Sequence, residues 1–382
     1  MFIVKRFDGM RVAIVNLTNG GLSGGYLKYL RRIIPYFEHS RQISDLHIFV
    51  PPVFSDLRLF RSSKLHTWPT LDLVLGFRKL KQQLRQMDID VVFFPTARRI
   101  DCGAVPTVVM VRNMEPLVQP LKGHLFRNGI KNLLRRRITK LACRDATRVV
   151  AVSKFVHEFL TDKWNIPACK LSVVRYGTPE PIPSEKTVKP SASQFHNEHP
   201  FIFTAGSLVP YRGLEDIIRA MAILNKNGYT QKLLIAGAPI EGTFGYEKQM
   251  KQMADKYGIA SSIVWLGQLS PEEMSWCFYH CDVFVMTSRV EACPNIALEA
   301  MSHRCICISA DNPPLPEIFD SSSIYYTAGD GENLAETMKT VFAWNDDQRK
   351  SMSEKAGRRA AEFSWDVCAK RTIATLIKAV NK

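Results

Sequence analysis

Along the first half of the chain, short β-branched and aromatic runs alternate with longer stretches whose apolar positions recur at helical spacing. Arg11 to Leu17 (RVAIVNL), residues 46–50, residues 90–94 and Thr107 to Val111 read as strands, and residues 25–37 and 71–86 as amphipathic helices. Arg148 to Val152 (RVVAV), a helix-like Ser153 to Lys163 and Leu171 to Arg175 (LSVVR) continue the series. From Thr178 to Pro200 the chain holds five prolines, no glycine and few large apolar residues, which predicts an extended linker over about 178–200. A second alternation follows. Strands are expected at Phe201 to Ala205, Lys232 to Ala236, Ile263 to Leu266, Val283 to Met286 and Cys305 to Ser309, with helices at 213–226, 246–257, 271–279 and 295–303. Apolar residues at Val367, Ile373, Leu376, Ile377 and Val380 predict a closing helix. Such alternation is the mark of parallel sheets flanked by helices, so the fold class is α/β, with two doubly wound domains and a cleft expected between them. The boundaries expected are 1–178, 179–362 and a final helical segment 363–382.

A length of 382 residues suits two such domains of roughly 180 residues each. With 46% hydrophobic and 23% charged residues the composition is that of a soluble globular protein, and no apolar run approaches the roughly 18 residues of a membrane span. The first strand runs at once into a glycine loop, which argues against a secretory signal; residues 1–9 read as a start-site extension or an ordered lead-in. Nine cysteines, an odd number without zinc spacing, are expected to be reduced and cytosolic. Cys277, Cys281, Cys305 and Cys307 allow a metal reading only with further ligands that no Cys or His spacing supplies, so buried apolar cysteine is the expectation. Charge sharpens the picture more than composition does. Residues 1–178 carry 30 Lys+Arg against 12 Asp+Glu, the rest 21 against 24, so the basic half is expected to face something anionic.

The densest chemistry lies in Met286 to Met301 (MTSRVEACPNIALEAM), a strand end, a loop and a helix with Pro294 in its first turn. The N–H groups of Asn295, Ile296 and Ala297 are expected to point out of the helix start, where the helix dipole favours a phosphate or a polarised hydroxyl. Glu291 and Glu299 stand eight apart, with only Arg289 and Arg304 as nearby cations in sequence. Neither carboxylate has an obvious salt-bridge partner, which suits acceptance of hydrogen bonds from sugar and ribose hydroxyls.

This segment resembles the Glu-x7-Glu motif of retaining glycosyltransferases of family 4, whose two Rossmann-like domains make the GT-B arrangement. Gly206 to Gly213 (GSLVPYRG) is similar to the family's Gly-Arg-Leu-x-x-x-Lys-Gly. LLIAG from Leu233, VWLG from Val264, PLPEI from Pro314 and FSW from Phe363 follow in order, and Gly24 with Gly25, AVSKFV and VVRYG match in the first domain. The resemblance implies that the final helix returns to pack on the N-terminal domain. It implies a donor site of Gly24, Gly25, Ser207, Arg212, the loop Gly267, Gln268 and Leu269, Glu291, Asn295, Ile296, Ala297 and Glu299. Arg212 takes the place of the lysine that contacts the diphosphate, a task a forked guanidinium suits. Glu299 would hold the ribose and Glu291 the transferred sugar, with nucleophile as the alternative role. Catalysis would rest on Glu291 and Arg212: the acceptor attacks from the face the diphosphate leaves, and Arg212 with the helix amides stabilises the departing charge.

Two departures matter. Ser207 stands where the family has a cation, so either another Arg compensates or the helix 295–303 carries more of the phosphate. No histidine ends the strand 107–111, which leaves Arg112 and Asn113 as acceptor-side candidates. The resemblance implies a UDP- or GDP-linked sugar as donor substrate, and no cofactor or metal is expected. The acceptor would be a glycan or a lipid-linked glycan of bacterial cell-surface biosynthesis, with lipopolysaccharide among the products implied. The protein would be cytoplasmic, or peripheral on the inner face of the membrane.

Asp88-Ile89-Asp90 satisfies the D-x-D pattern of metal-dependent transferases but reads as a surface turn leading into the strand VVFF. Asn19 to Gly25 (NGGLSGG) invites a dinucleotide fingerprint, yet no acid ends the next strand, against an NAD-dependent oxidoreductase. Residues 122–148 carry nine Lys+Arg and one acid, with Phe126, Ile130, Leu134, Ile138 and Leu141 at helical spacing beside Arg127, Lys131 and Arg135. This reads either as a helix on anionic lipid or as the solvated face of a core-packed helix. Nucleic-acid binding has charge alone in its favour and is not expected. His39, His66, His124 and His280 are assigned no role.

Overall fold

The apolar runs of the first half become one wholly parallel sheet of seven strands, β1 (Met10–Val15), β2 (Ile43–Val50), β3 (Lys64–Thr67), β4 (Val91–Phe94), β5 (Thr107–Val111), β6 (Arg148–Ala151) and β7 (Leu171–Val173). Their order is β3-β2-β1-β4-β5-β6-β7. Every residue of β4 and β5 is buried, as unbroken runs such as VVFF and TVVMV require of strands covered on both faces. The computed structural model describes residues 9–17, 24–50, 64–67, 73–118, 126–191, 201–240 and 243–382.

The helix Gly24–Glu38 buries Tyr26, Tyr29, Leu30, Ile33, Ile34 and Phe37, a helical spacing that gives one apolar face to the sheet. The closing helix Trp365–Val380 belongs to the same body. It packs on the helix Gly24–Glu38 and on β4, β5 and β6, and buries Cys368, Ala369, Thr372, Ile373, Leu376 and Ala379. Ser364 caps it by accepting from the amide of Val367. At its start the Trp365 ring stacks on Tyr176 with centroids 6.0 Å apart. A Cβ on Gly177 would lie 2.2 Å from the Trp365 nitrogen, so only glycine lets the two chain segments pass. The chain therefore divides into two units, 1–177 with 364–382, and 178–363.

The second unit holds β8 (Phe201–Ala205), β9 (Lys232–Ala236), β10 (Ile263–Gly267), β11 (Cys281–Met286), β12 (Cys307–Ala310) and β13 (Ser323–Tyr326), again all parallel. The order is β10-β9-β8-β11-β12-β13, so the winding reverses between β8 and β11. In the first unit it reverses between β1 and β4. Open parallel sheets bind ligands beyond the carboxyl ends of their strands at such reversal points.

Several elements differ from expectation. The edge strand β3, the strand β13 and the helices Gly331–Phe342 and Asp346–Ala361 were not anticipated. Ser153 to Lys163 is a helix only to Glu158 and continues as a π turn, Phe159–Lys163. The proline-rich segment does not run free where it is described: Tyr279 Oη donates to Ile182 O (3.0 Å), and the amide of Thr178 donates to Phe363 O (2.9 Å). Residues 192–200 lie outside the described residues. Asp88 and Asp90 both serve Arg11, Asp90 accepting from its amide at 2.7 Å and Asp88 from its guanidinium at 3.3 Å. The nine cysteines are all unbridged and only Cys169 is exposed. Burial pushes the thiols of Cys102 and Cys143 up to about 12.

Candidate functional site

The site of the second unit is built where β8 and β11 end. After Ala205 the backbone turns through Gly206 (φ +142°), makes a 3-10 turn at Pro210–Arg212, and enters the helix Leu214–Lys226 through Gly213 (φ +64°). Both conformations favour glycine, and the space does too. A Cβ on Gly213 would lie 2.5 Å from Thr287 O, and one on Gly206 within 3.1 to 3.3 Å of the Arg212 guanidinium. On the neighbouring strand Gly237 (φ +135°) donates to Gly267 O at 2.6 Å, and its Cβ would fall 1.8 Å from Gly206 O. Three glycine backbones thus close on one another at the ends of β8, β9 and β10, and the Arg212 side chain lies across the first.

The loop after β11 is sewn to this turn. Thr287 Oγ1 donates to Arg212 O (2.6 Å), and the amide of Arg289 donates to Tyr211 O (2.8 Å). Arg212 Nη1 donates to Ser288 Oγ at 3.1 Å and forms a short ion pair with the Glu291 carboxylate. The expectation that Glu291 lacks a salt-bridge partner is therefore wrong: its partner comes from 79 residues earlier, where sequence neighbourhood could not show it. Arg212 Nε is buried without a hydrogen-bond partner among the described residues. A buried guanidinium N–H costs free energy unless an acceptor reaches it, which marks this face of Arg212 as a place for an anionic oxygen.

Arg289, the other cation of the loop, is committed elsewhere. Its Nη2 donates to the wholly buried Asp216 at 2.5 Å, and Asp216 also accepts from Tyr326 Oη (3.0 Å) and the amide of Gly329 (2.9 Å). Burial first and the Asp216 charge next push the Tyr326 hydroxyl above the ordinary phenol range, so it stays a donor. Arg289 thus does not replace the cation missing at Ser207, a residue that lines the small cavity beside Arg212. Sequence gave no sign of Asp216, which lies off the stripe of Leu214, Ile217, Ile218 and Met221. It is buried because the unanticipated helix Gly331–Phe342 packs there, Gly331 coming so close that a Cβ would lie 3.0 Å from Asp216 O.

The helix after the loop spans Asn295–Ser302 with Pro294 as its N-cap. Asn295 and Ile296 keep their amides unbonded among the described residues, as the missing fourth-previous carbonyls require. Ala297 does not: its amide donates to Pro294 O at 3.2 Å, which corrects the expectation for that residue. Glu299 is buried inside this helix, and Gly267 (φ +66°), Gln268 and Leu269 form the turn after β10, with Gln268 exposed.

The remaining candidates belong to the first unit. Gly24 and Gly25 open the helix Gly24–Glu38; most of the glycine loop before them, 18–23, lies outside the described residues. Arg112 reaches that helix, its guanidinium 4.1 Å from the centroid of the Tyr26 ring. Asn113 is exposed and accepts from the amide of Glu115 at 3.0 Å, which caps the short helix Glu115–Val118. Among the described residues no three His, Cys, Asp or Glu side chains converge as a metal site would need, and no helix is long and apolar enough to cross a membrane.

Two parallel doubly wound sheets, one carrying an arginine–carboxylate pair and open helix amides at its reversal point, define the GT-B architecture of the glycosyltransferases. Two family models match in succession, glycosyltransferase family 4 over residues 41–179 and glycosyl transferases group 1 over residues 185–359. The chain belongs to this family, group 1 of the glycosyltransferases, family 4. Similar sequences include D-inositol 3-phosphate glycosyltransferase of Corynebacterium urealyticum, 26% identical over 37% of this chain and 34% of that enzyme. The GDP-mannose-dependent monoacylated alpha-(1-6)-phosphatidylinositol monomannoside mannosyltransferase of Corynebacterium glutamicum is 24% identical over half of each chain. The chain spans about a third to three fifths of the curated relatives it matches. Among solved structures, Anabaena Alr3699/HepE in complex with UDP superposes with a TM-score of 0.74 at 18% identity, covering 97% of this chain and all of that one.

Proposed function

We propose that this protein transfers a sugar from a nucleoside diphosphate donor to a glycan or lipid-linked acceptor, with retention of the anomeric configuration and without a metal ion. The observation that carries the reading is the Arg212–Ser288–Glu291 cluster at the reversal point, with a buried Arg212 N–H that lacks an acceptor. A diphosphate oxygen fits that position, and the amides of Asn295 and Ile296 favour the same charge. As the diphosphate leaves, negative charge grows on oxygens that Arg212 stabilises, and the departing oxygen takes the acceptor's proton. Glu291 accepts from hydroxyls of the transferred sugar, and Glu299 from those of the ribose. Arg112 and Asn113 of the first unit are the candidates for holding the acceptor. The solved relative with UDP and the GDP-mannose-dependent relative support a nucleotide donor, and the phosphatidylinositol mannoside of the latter supports an acceptor carried on lipid. We read the product as a bacterial cell-surface glycan made at the cytoplasmic face of the membrane.

A thermal-shift screen against UDP, GDP and their common sugars, run in EDTA, tests class and base together. Stabilisation by one nucleotide family is the expected result, and no response to any of them overturns the reading. Loss of turnover in EDTA, restored by manganese, would overturn metal independence, and product with inverted configuration would overturn retention.

A further inference from the structure

The helix Phe126–Asp145 is packed inside out. Of its described side chains the buried ones are small, Thr139, Ala142 and Cys143, whereas Leu133, Leu134, Ile138 and Leu141 are 53%, 59%, 41% and 50% exposed. A helix of a domain bathed only in water turns its large aliphatic residues inward. At 3.6 residues per turn, Leu134, Ile138 and Leu141 fall within about 60° of arc, and Leu133, Arg137, Lys140 and Arg144 fill the adjoining ~60°. Both stripes lie opposite Thr139, Ala142 and Cys143. In sequence the helix holds seven Lys and Arg against Asp145 alone.

Its place in the first unit is fixed. Asn132 Nδ2 donates to Glu115 Oε1 at 3.0 Å, which ties the helix to the segment following β5. Arg98, at the end of β4, donates to Leu17 O at 3.3 Å across the reversal point of the sheet. Burial first and the Arg135 charge next hold the Arg98 guanidinium below its usual range. The helix therefore starts at the carboxyl end of the first sheet and its two stripes run from there toward the amino end, where Lys170 Nζ donates to Arg144 O at 2.6 Å and the chain enters β6.

We propose that this face docks on an anionic lipid leaflet, with Leu133, Leu134, Ile138 and Leu141 in the boundary between headgroups and acyl chains and Arg137, Lys140 and Arg144 on lipid phosphates. Charge decides the occupant. A second copy would bring an equally basic helix against this one, and like charges repel. Nucleic acid satisfies the cations but gives four exposed aliphatic side chains nothing to bury against, and the helix has no described aromatic to stack on bases. Only an anionic bilayer satisfies both stripes at once. The docking itself does not depend on the transfer reaction, because it is read without donor or acceptor.

The test is co-sedimentation of the full chain with vesicles of phosphatidylcholine alone and with a rising share of phosphatidylglycerol. Two double variants at exposed positions, Leu134→Ser with Ile138→Ser and Arg137→Gln with Arg144→Gln, are compared at unchanged melting temperature. The wild type is expected to bind only phosphatidylglycerol vesicles, and the arginine pair to lose roughly thirtyfold in affinity, about a factor of five for each charge. The serine pair is expected to weaken binding at least tenfold, since each leucine-sized side chain contributes about 1.5 kcal/mol or more on leaving water. Wild type that stays in the supernatant overturns the proposal. So does a serine pair that binds like wild type, which would leave a charged patch serving nucleic acid or another anion. A wild-type dimer that the serine pair turns into monomers would assign the face to self-association and overturn it as well. Thermal shift with nucleotides, run on the same variants, reports the donor site separately.

Discussion

Arg212 is shared between two partners in prospect: Glu291 and Ser288 hold it now, and its buried Nε is left for a third. Replacing Glu291 by Gln keeps an acceptor but removes the charge, and the expected result is a fall in turnover of about a hundredfold, with donor affinity changed much less. Activity near that of the wild type would remove Glu291 from catalysis, and a trapped covalent glycosyl-enzyme would make it the nucleophile. Arg212→Lys keeps a charge but loses the planar fork, so donor affinity is expected to fall by roughly tenfold, measured by calorimetric titration with the stabilising nucleotide. The identities of Arg212, Glu291 and Glu299 could be read from the sequence because their spacing follows one recognisable motif. Their pairing could not, since Arg212 and Glu291 come from opposite halves of one sheet. Ala297 illustrates a finer limit, for whether a first-turn amide bonds back to Pro294 depends on local backbone angles that residue identity leaves open.

Elements carry the stability of this site. Gly237→Ala would drive a Cβ to 1.8 Å from Gly206 O in a residue at φ +135°, so it should destabilise the second unit by more than about 3 kcal/mol, measured by urea unfolding. Asp216→Ala strips the acceptor from Arg289, Tyr326 and Gly329 together, and a loss of about 3 kcal/mol is expected by the same measurement. An unchanged midpoint in either variant would show that the loops around β8 and β11 are not held as described. Strands such as β5 and β8 were legible to the residue, because fully buried parallel strands are written as unbroken apolar runs. The edge strand Lys64–Thr67 was not, being half exposed and polar, nor was the helix Asp346–Ala361, which buries only Ala356 and Ala360 and so shows almost no apolar stripe. The helix Phe126–Asp145 was legible as a helix, yet which way its leucines face came only from the structure.

At the scale of the whole molecule, the alternation of strands and helices sufficed for two parallel sheets, and the excess of positive charge falls on the first. What periodicity could not supply is the ownership of the last helix, which the family resemblance implied and the packing assigns to the first unit. A chain stopped after Phe363 would bare the apolar surface over β4 to β6 and leave Tyr29 and Tyr176 without the Trp365 ring. Calorimetry of that truncated chain should lose the transition of the first unit and keep that of residues 178–363; two intact transitions would contradict the packing.

The meeting of Gly177 with Trp365 also sets a timetable for synthesis. A ribosome releases residues 1–177 first, but their sheet stays partly uncovered until residues 364–382 emerge, by which time the whole of 178–363 has been available to fold. The unit begun first is thus completed last, and the interval in which its apolar surface waits for cover is the period when a nascent chain most needs a chaperone.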